Sequence, residues 1–325
     1  MRLVTLLDTS ISTDNLGDEI IMDAVQGVLH ALMPDAYIYR VPTHDYLGTV
    51  SRRLLKQSEL SIVGGTNILS SRMGRRTELW KLMPWDVNAF GHAILLGVGW
   101  RDYMKRPSWY SRWLLRHLLS KEYVHSARDT YTMEKLSHLD HRALNTACPT
   151  MWSLTEEHCR DIPTSKAQDV VTTLTYYRPD PESDRALLFA LARNYRRIYF
   201  WPQQSRDLPY FQSLGVPGIT IIQPSVRHYN QILENESVDF VGTRLHGGIR
   251  ALQKGRRALI VMVDNRAAEI GKDTGLPVIE RSYIHCIDTW INGSPKLALN
   301  LPQSAIARWK AQFGEDLTKR HNVSK

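Results

Sequence analysis

Cysteine is scarce in this chain: three residues in 325, Cys148, Cys159 and Cys286, an odd set without a CxxC pair. That excludes a disulfide framework and a cysteine zinc site, and leaves buried free thiols as the plain reading. Long apolar runs are missing as well. The longest, Ala258 to Val263, has six residues, where a membrane-spanning helix needs about 20. The opening stretch from Met1 to Leu7 meets Asp8 before a signal-peptide core develops. A cytoplasmic protein is the expectation. Neither GxGxxG nor the P-loop pattern occurs, so no dinucleotide or ATP fold is expected, and no HExxH-type spacing calls for a metal. Internal repeats and low-complexity segments are absent too.

What is present is an ordinary soluble composition, 43% hydrophobic and 23% charged. The length is about twice that of a typical domain of roughly 150 residues, so two domains with a cleft between them are expected. The formal net charge of +8 suits an anionic partner: a phosphorylated small molecule, an acidic lipid headgroup or a nucleic acid. Its short basic groups (Arg52-Arg53, Arg75-Arg76, Arg196-Arg197, Arg256-Arg257) lack the aromatic interleaving of a nucleic-acid module. No nucleic-acid partner is expected.

Short apolar runs alternate with amphipathic stretches, the pattern of βα units around a parallel sheet. Strands are predicted at 3–7, 60–63, 93–98 and 123–126, with helices at 19–32, 111–120 and 130–139. Pro34 stops the first helix. A polar stretch from Met151 to Ala167, containing Pro163, Thr164 and Ser165, reads as a domain boundary near residue 160. Alternation restarts with strands at 170–174, 198–201, 219–222, 238–242 and 258–263 and helices at 183–195, 226–234, 247–254 and 267–273. The last segment, 303–313, reads as a helix packing back on the first domain. Two Rossmann-like domains in tandem, 1–160 and 161–325, are the expected architecture, with ligands at the carboxyl ends of the strands where the two sheets face each other.

Three clusters carry chemistry. Thr13-Asp14-Asn15-Leu16-Gly17-Asp18-Glu19 lies between the first strand and first helix, where backbone N–H groups and short polar side chains meet a helix N-terminus. Asn15 and Asp18 are either helix caps or, for Asp18, a general base facing a substrate hydroxyl. Gly64-Gly65-Thr66-Asn67 and Gly97-Val98-Gly99 end strands in glycines, which permits a sharp turn or a close approach of backbone to ligand. The sharpest cluster is Gly242-Thr243-Arg244-Leu245-His246-Gly247-Gly248, at a strand-to-helix turn. There Arg244 can hold a carboxylate or phosphate through paired hydrogen bonds and His246 can deliver a proton near neutral pH. The bland alternative is a surface arginine beside a core histidine. Aromatic stretches at Trp80 to Trp85 and Trp100 to Tyr110 suit either sugar stacking or core filling.

Taken in order, Asn15-Leu16-Gly17-Asp18, Gly64-Gly65, Gly97-Val98-Gly99, Ala127-Arg128-Asp129, Gly242-Thr243-Arg244-Leu245-His246-Gly247 and the stretch Val263 to Ile270 resemble the polysaccharide pyruvyl transferase family over roughly residues 10–280. The resemblance implies a GT-B-like pair of Rossmann-like domains with the active site in the interdomain cleft. It implies phosphoenolpyruvate as donor, no cofactor and no metal. The acceptor would be a glycan or lipid-linked sugar hydroxyl pair that becomes a cyclic ketal in cell-surface polysaccharide biosynthesis, with peripheral contact at the inner face of the membrane.

Carried over by position, Arg244 binds the donor, His246 is the acid and Arg128 is a second donor-binding arginine. Leu245, Gly247, Asn15, Gly17, Gly64, Gly65 and Thr66 line the substrates, and Asp18 deprotonates the acceptor. The sequence departs from the family at Thr66, where a third glycine is common, and at Ala147-Cys148-Pro149-Thr150, which lacks the usual acid. A nucleotide-sugar glycosyltransferase and a non-catalytic binding protein of the same fold are the competing readings.

Overall fold

The computed structural model describes residues 2–75, 78–90 and 92–314; Arg76 of the basic pairs above lies outside them. The chain forms two compact units, each with its own sheet. Of the described residues, the first contains those of 2–13, 21–149 and 301–314, and the second contains residues 14–20 and 150–300.

The first unit holds β1 (Arg2–Asp8), α1 (Leu16–Leu32) from Ile21 onward, β2 (Ala36–Pro42), α2 (Thr49–Gln57), β3 (Leu60–Gly64) and β4 (Ile94–Leu96), and its four strands form a parallel sheet in the order β2-β1-β3-β4. After α3 (Trp109–Leu118) come β5 (His125–Ala127), α4 (Thr130–Ser137) and β6 (Ala143–Asn145), with β5 and β6 paired in parallel. A bridge from Val98 to Ala127 ties them back to β4. β3 is buried along its whole length and reads LSIVG, as a parallel strand covered on both faces should. Helix α3 is capped by Ser108, whose hydroxyl accepts the Ser111 N–H at 3.1 Å, and it buries Leu114, Leu115 and Leu118. Each such leucine contributes about 1.5–3 kcal/mol of transfer free energy.

In the second unit α5 (Glu156–Asp161), β7 (Asp169–Thr172), α6 (Pro181–Asn194), β8 (Ile198–Phe200), α7 (Asp207–Ser213), β9 (Ile219–Ile221), α8 (Val226–Asn235), β10 (Val238–Gly242), α9 (Leu245–Gln253), β11 (Ala258–Met262), α10 (Asn265–Thr274), β12 (Val278–Glu280) and α11 (Ile287–Asn292) follow in turn. All six strands are parallel in the order β12-β11-β10-β7-β8-β9. This is the doubly wound Rossmann order, and its switch point lies between β7 and β10. Caps fix the helix starts: Asp180 accepts the Ser183 N–H at 3.1 Å before Pro181 opens α6, and Ser225 accepts the His228 N–H at 3.1 Å before α8. Gly275, at φ 74°, ends α10.

The division falls at Pro149 and Thr150, not near residue 160. The polar stretch expected to be a linker holds α5, and it is fastened to the second unit: Gln253 Nε2 donates to Thr150 O, and His158 Nε2 lies 2.8 Å from Leu252 O. Helix α12 (Gln303–Ala311) belongs to the first unit. Just beyond it, Gln312 bonds both the N–H and the C=O of Val124, at 2.9 and 3.0 Å, and Phe313 stacks on Tyr123. Among the described residues no helix is long and apolar enough to cross a membrane.

Candidate active site

At the switch point of the second unit, β7 and β10 end beside each other and their loops interlock. Thr243 N donates to Thr173 O at 2.9 Å, Arg244 N to Thr173 Oγ1 at 3.1 Å, and the Thr175 and Thr243 hydroxyls are 2.7 Å apart. Gly242 has to be glycine here, because a Cβ would sit 2.5 Å from Thr173 Oγ1 and 2.6 Å from its backbone nitrogen. The turn delivers Arg244, Leu245 and His246 to the start of α9, all of them buried.

Arg244 is engaged within the protein. Its Nε donates to Asp207 Oδ2 at 3.1 Å and to Leu174 O at 3.2 Å, its Nη2 donates to Asp207 Oδ1, and the guanidinium lies 5.1 Å from the Tyr177 ring centroid. The paired hydrogen bonds expected for a substrate anion are made here to a carboxylate of this chain. Asp207 also accepts N–H bonds from Gln204 and Tyr176, at 2.9 and 3.2 Å, so the pair welds the start of α7 to the loops after β7 and β10. Sequence reasoning did not single out Asp207, which opens a seven-residue helix 37 positions before its partner.

The segment from Asp14 to Ile20 clusters with this unit. Asn15 Oδ1 accepts from Gly17 N at 3.1 Å, which is the capping role, and from Gln203 Nε2 at 2.8 Å; Leu16 N donates to Gln203 O at 3.0 Å. Gly17 leaves room for this: a Cβ there would lie 2.5 Å from Gln203 Nε2. Gly247 lies on the other side of the same glutamine, its virtual Cβ 3.5 Å from Gln203 Oε1, and its carbonyl accepts the Tyr229 hydroxyl at 2.7 Å. Asp18 is 3% exposed and accepts a hydrogen bond from Asn15 Nδ2 at 3.2 Å. Burial raises the Asp14 carboxyl, but hydrogen bonds from Ser205 and Gln204 and the charge of Arg244 outweigh it, so the net shift is downward. Gln203 and Gln204 were missed in the sequence, although their place directly after β8 is the position where parallel sheets present ligand-binding residues.

In the first unit Arg128 follows β5 and is 1% exposed. Its Nη2 donates to Asn67 Oδ1 and reaches Asp129 Oδ2 at 3.4 Å, while Nε and Nη1 have no partner among the described residues. Gly99 makes the passage for it, since a Cβ there would stand 2.3 Å from Arg128 Nη2.

Gly64 and Gly65 have a packing reason. Virtual Cβ atoms would stand 2.8 Å from Met22 Cε and 2.0 Å from Ile21 Cγ2, so these glycines let β3 sit against α1. Thr66 is a non-glycine residue at φ 56°, and its carbonyl accepts Gly99 N at 2.9 Å. The loop thus keeps the left-handed turn that a third glycine would take, as does Ala147 at φ 58°. The aromatic stretches divide: Trp80 and Trp100 are core, whereas Trp85 and Trp109 are exposed.

The fold is that of a two-domain α/β protein of the GT-B type. Similar structures agree on the fold. The UDP-GlcNAc 2-epimerase of Methanocaldococcus jannaschii, in complex with UDP-GlcNAc and UDP, superposes with a TM-score of 0.54 at 12% identity, covering 97% of this chain and 100% of that one. MnaA of S. aureus, in complex with UDP, gives 0.53 at 11% identity with 91% of each chain covered. Likeness at this level of identity shows the fold alone. No curated protein sequence matches the chain significantly. The polysaccharide pyruvyl transferase family model matches residues 15–265, and the chain belongs to that family.

Proposed function

We propose that the protein transfers a pyruvyl group from phosphoenolpyruvate to a pair of hydroxyls on a glycan or lipid-linked sugar, forming a cyclic ketal. Family membership supports the reaction class, and the state of Arg128 carries the choice of an anionic donor. A guanidinium 1% exposed with two nitrogens unfilled among the described residues is costly, and a carboxylate or phosphate ligand removes that cost.

In this reading His246 protonates the donor methylene carbon, which leaves an oxocarbenium-like carbon bonded to the phosphate oxygen. One sugar hydroxyl adds there as Asp18 takes its proton. The C–O bond to phosphate then breaks, and the second hydroxyl closes the ring. Of the two hydroxyl protons released, one balances the proton placed on carbon and the other leaves with phosphate. Positioned acid and base groups of this kind contribute about 10²–10⁴ in rate. Arg128 orients the donor, and Arg244, held by Asp207, shapes the turn that presents His246. The test is acceptor-dependent phosphate release from phosphoenolpyruvate, run beside a panel of nucleotide sugars. Turnover of a nucleotide sugar with no release from phosphoenolpyruvate would replace this reading with a glycosyltransferase.

A further inference from the structure

Two of the exposed tryptophans, Trp109 and Trp113, lie on α3. This helix turns Ser111, Leu114, Leu115 and Leu118 inward. Its i, i+4 spacing lines Trp109, Trp113 and His117 along the other side, with Tyr110 among them. Trp109 is 81% exposed and Trp113 38%. The four rings form a ladder: centroids are 5.9 Å apart for Trp109 and Tyr110, 5.9 Å for Tyr110 and Trp113, and 5.1 Å for Trp113 and His117. An exposed indole at this density costs hydrophobic free energy in a monomer facing water, so the ladder is built for a surface that covers it.

Along the chain, the stretch that carries the ladder is basic, although Glu59, Glu122 and Asp140 lie near its His117 end. Between Asp102 and Glu122 the sequence holds Lys105, Arg106, Arg112, Arg116 and Lys121 and no acid. Lys105, Arg106 and Arg112 are exposed, while Arg116 is paired with Asp140. We propose that this face of α3, with the preceding loop, docks the protein on an anionic lipid bilayer. Indole rings settle at the boundary between headgroups and acyl chains, and each nearby Lys or Arg adds about 1 kcal/mol on a negatively charged leaflet. A ten-residue helix lying in the interface gives peripheral, reversible and salt-sensitive attachment. The inference is independent of the donor chemistry, because it rests on α3 and its flanking cations.

Co-sedimentation with vesicles tests it, using phosphatidylcholine alone and phosphatidylcholine mixed with phosphatidylglycerol. The wild-type protein binds only the anionic vesicles and is released by salt. Trp109→Ala with Trp113→Ala lowers the partition constant about tenfold or more, and Lys105→Glu with Arg112→Glu does the same, while both double variants keep the wild-type melting temperature because the side chains are exposed. The proposal is overturned if wild type ignores anionic vesicles at low salt, or if both double variants bind them as wild type does. A wild-type dimer that the tryptophan variant converts to monomer would also overturn it, by showing that a second copy covers the ladder.

Discussion

Arg244 and Asp207 form an ion pair with side chains only 4% and 0% exposed, the guanidinium Nε and Nη2 each donating to one carboxylate oxygen. Two buried charges are tolerable only when each is fully paired, so removing one partner strands the other. Asp207→Ala is therefore expected to destabilise the protein by about 3–5 kcal/mol in denaturant unfolding. Replacing both, Asp207→Leu with Arg244→Met, is expected to recover a large part of that loss. A single-variant cost below about 1 kcal/mol would mean that the pair does not hold the turn.

For His246, buried in the first turn of α9, binding and chemistry are expected to separate. His246→Asn leaves most of the donor affinity and lowers turnover by about 10² or more, because a general acid acts in the transition state. Steady-state kinetics beside donor titrations would read this out. A variant with a depressed melting temperature and ordinary turnover per folded molecule would make His246 structural.

The legible parts of the fold are those whose signal is local. β11 is a continuous apolar run, and β3 and β10 are apolar apart from Ser61 and Asp239, because both their faces are covered. β2 reads AYIYRVP, an edge strand half open to solvent with Arg40 reaching back to Asp8 at 2.6 Å, and no run marks it. β6 and β12 have three residues each, too few for a period to show. In the site, the turn from Gly242 to Gly248 announced itself through residue types at one place in the chain. Asp207, Gln203 and Asn67 meet Arg244, Asn15 and Arg128 across 37 to 188 positions of chain, and no linear pattern joins them. Arg244 shows the opposite case: its residue type stands out in the sequence, but its buried carboxylate partner does not.

His125 gives a pH prediction. Its Nδ1 accepts the Leu95 N–H at 3.2 Å, so Nε2 carries the proton and donates to Ser120 O at 2.8 Å. Burial pushes its pKa down from 6.5 to about 3, against a weaker opposing effect from the Ser120 bond. The unfolded chain therefore takes up a proton that the folded one refuses. This residue's contribution is complete above pH 6.5 and is lost as the pH falls toward 3, at a limiting slope of about 1.4 kcal/mol per unit. Unfolding free energies measured at pH 7 and pH 5 are expected to differ less in His125→Gln than in wild type. An unchanged difference would show that His125 does not titrate on unfolding in that range.

The most direct test of the account is calorimetric titration of phosphoenolpyruvate into wild type and into Arg128→Met. With a guanidinium buried and two of its nitrogens unfilled, the account predicts that wild type binds the donor. The variant is expected to lose about 10² or more in affinity; because it also leaves the buried Asn67 Oδ1 and Asp129 without their guanidinium partner, its melting temperature is measured beside the titration so that the affinity is read per folded molecule. Binding by Arg128→Met at the wild-type affinity would contradict it, as would a wild-type protein that ignores phosphoenolpyruvate and takes up a nucleotide sugar instead.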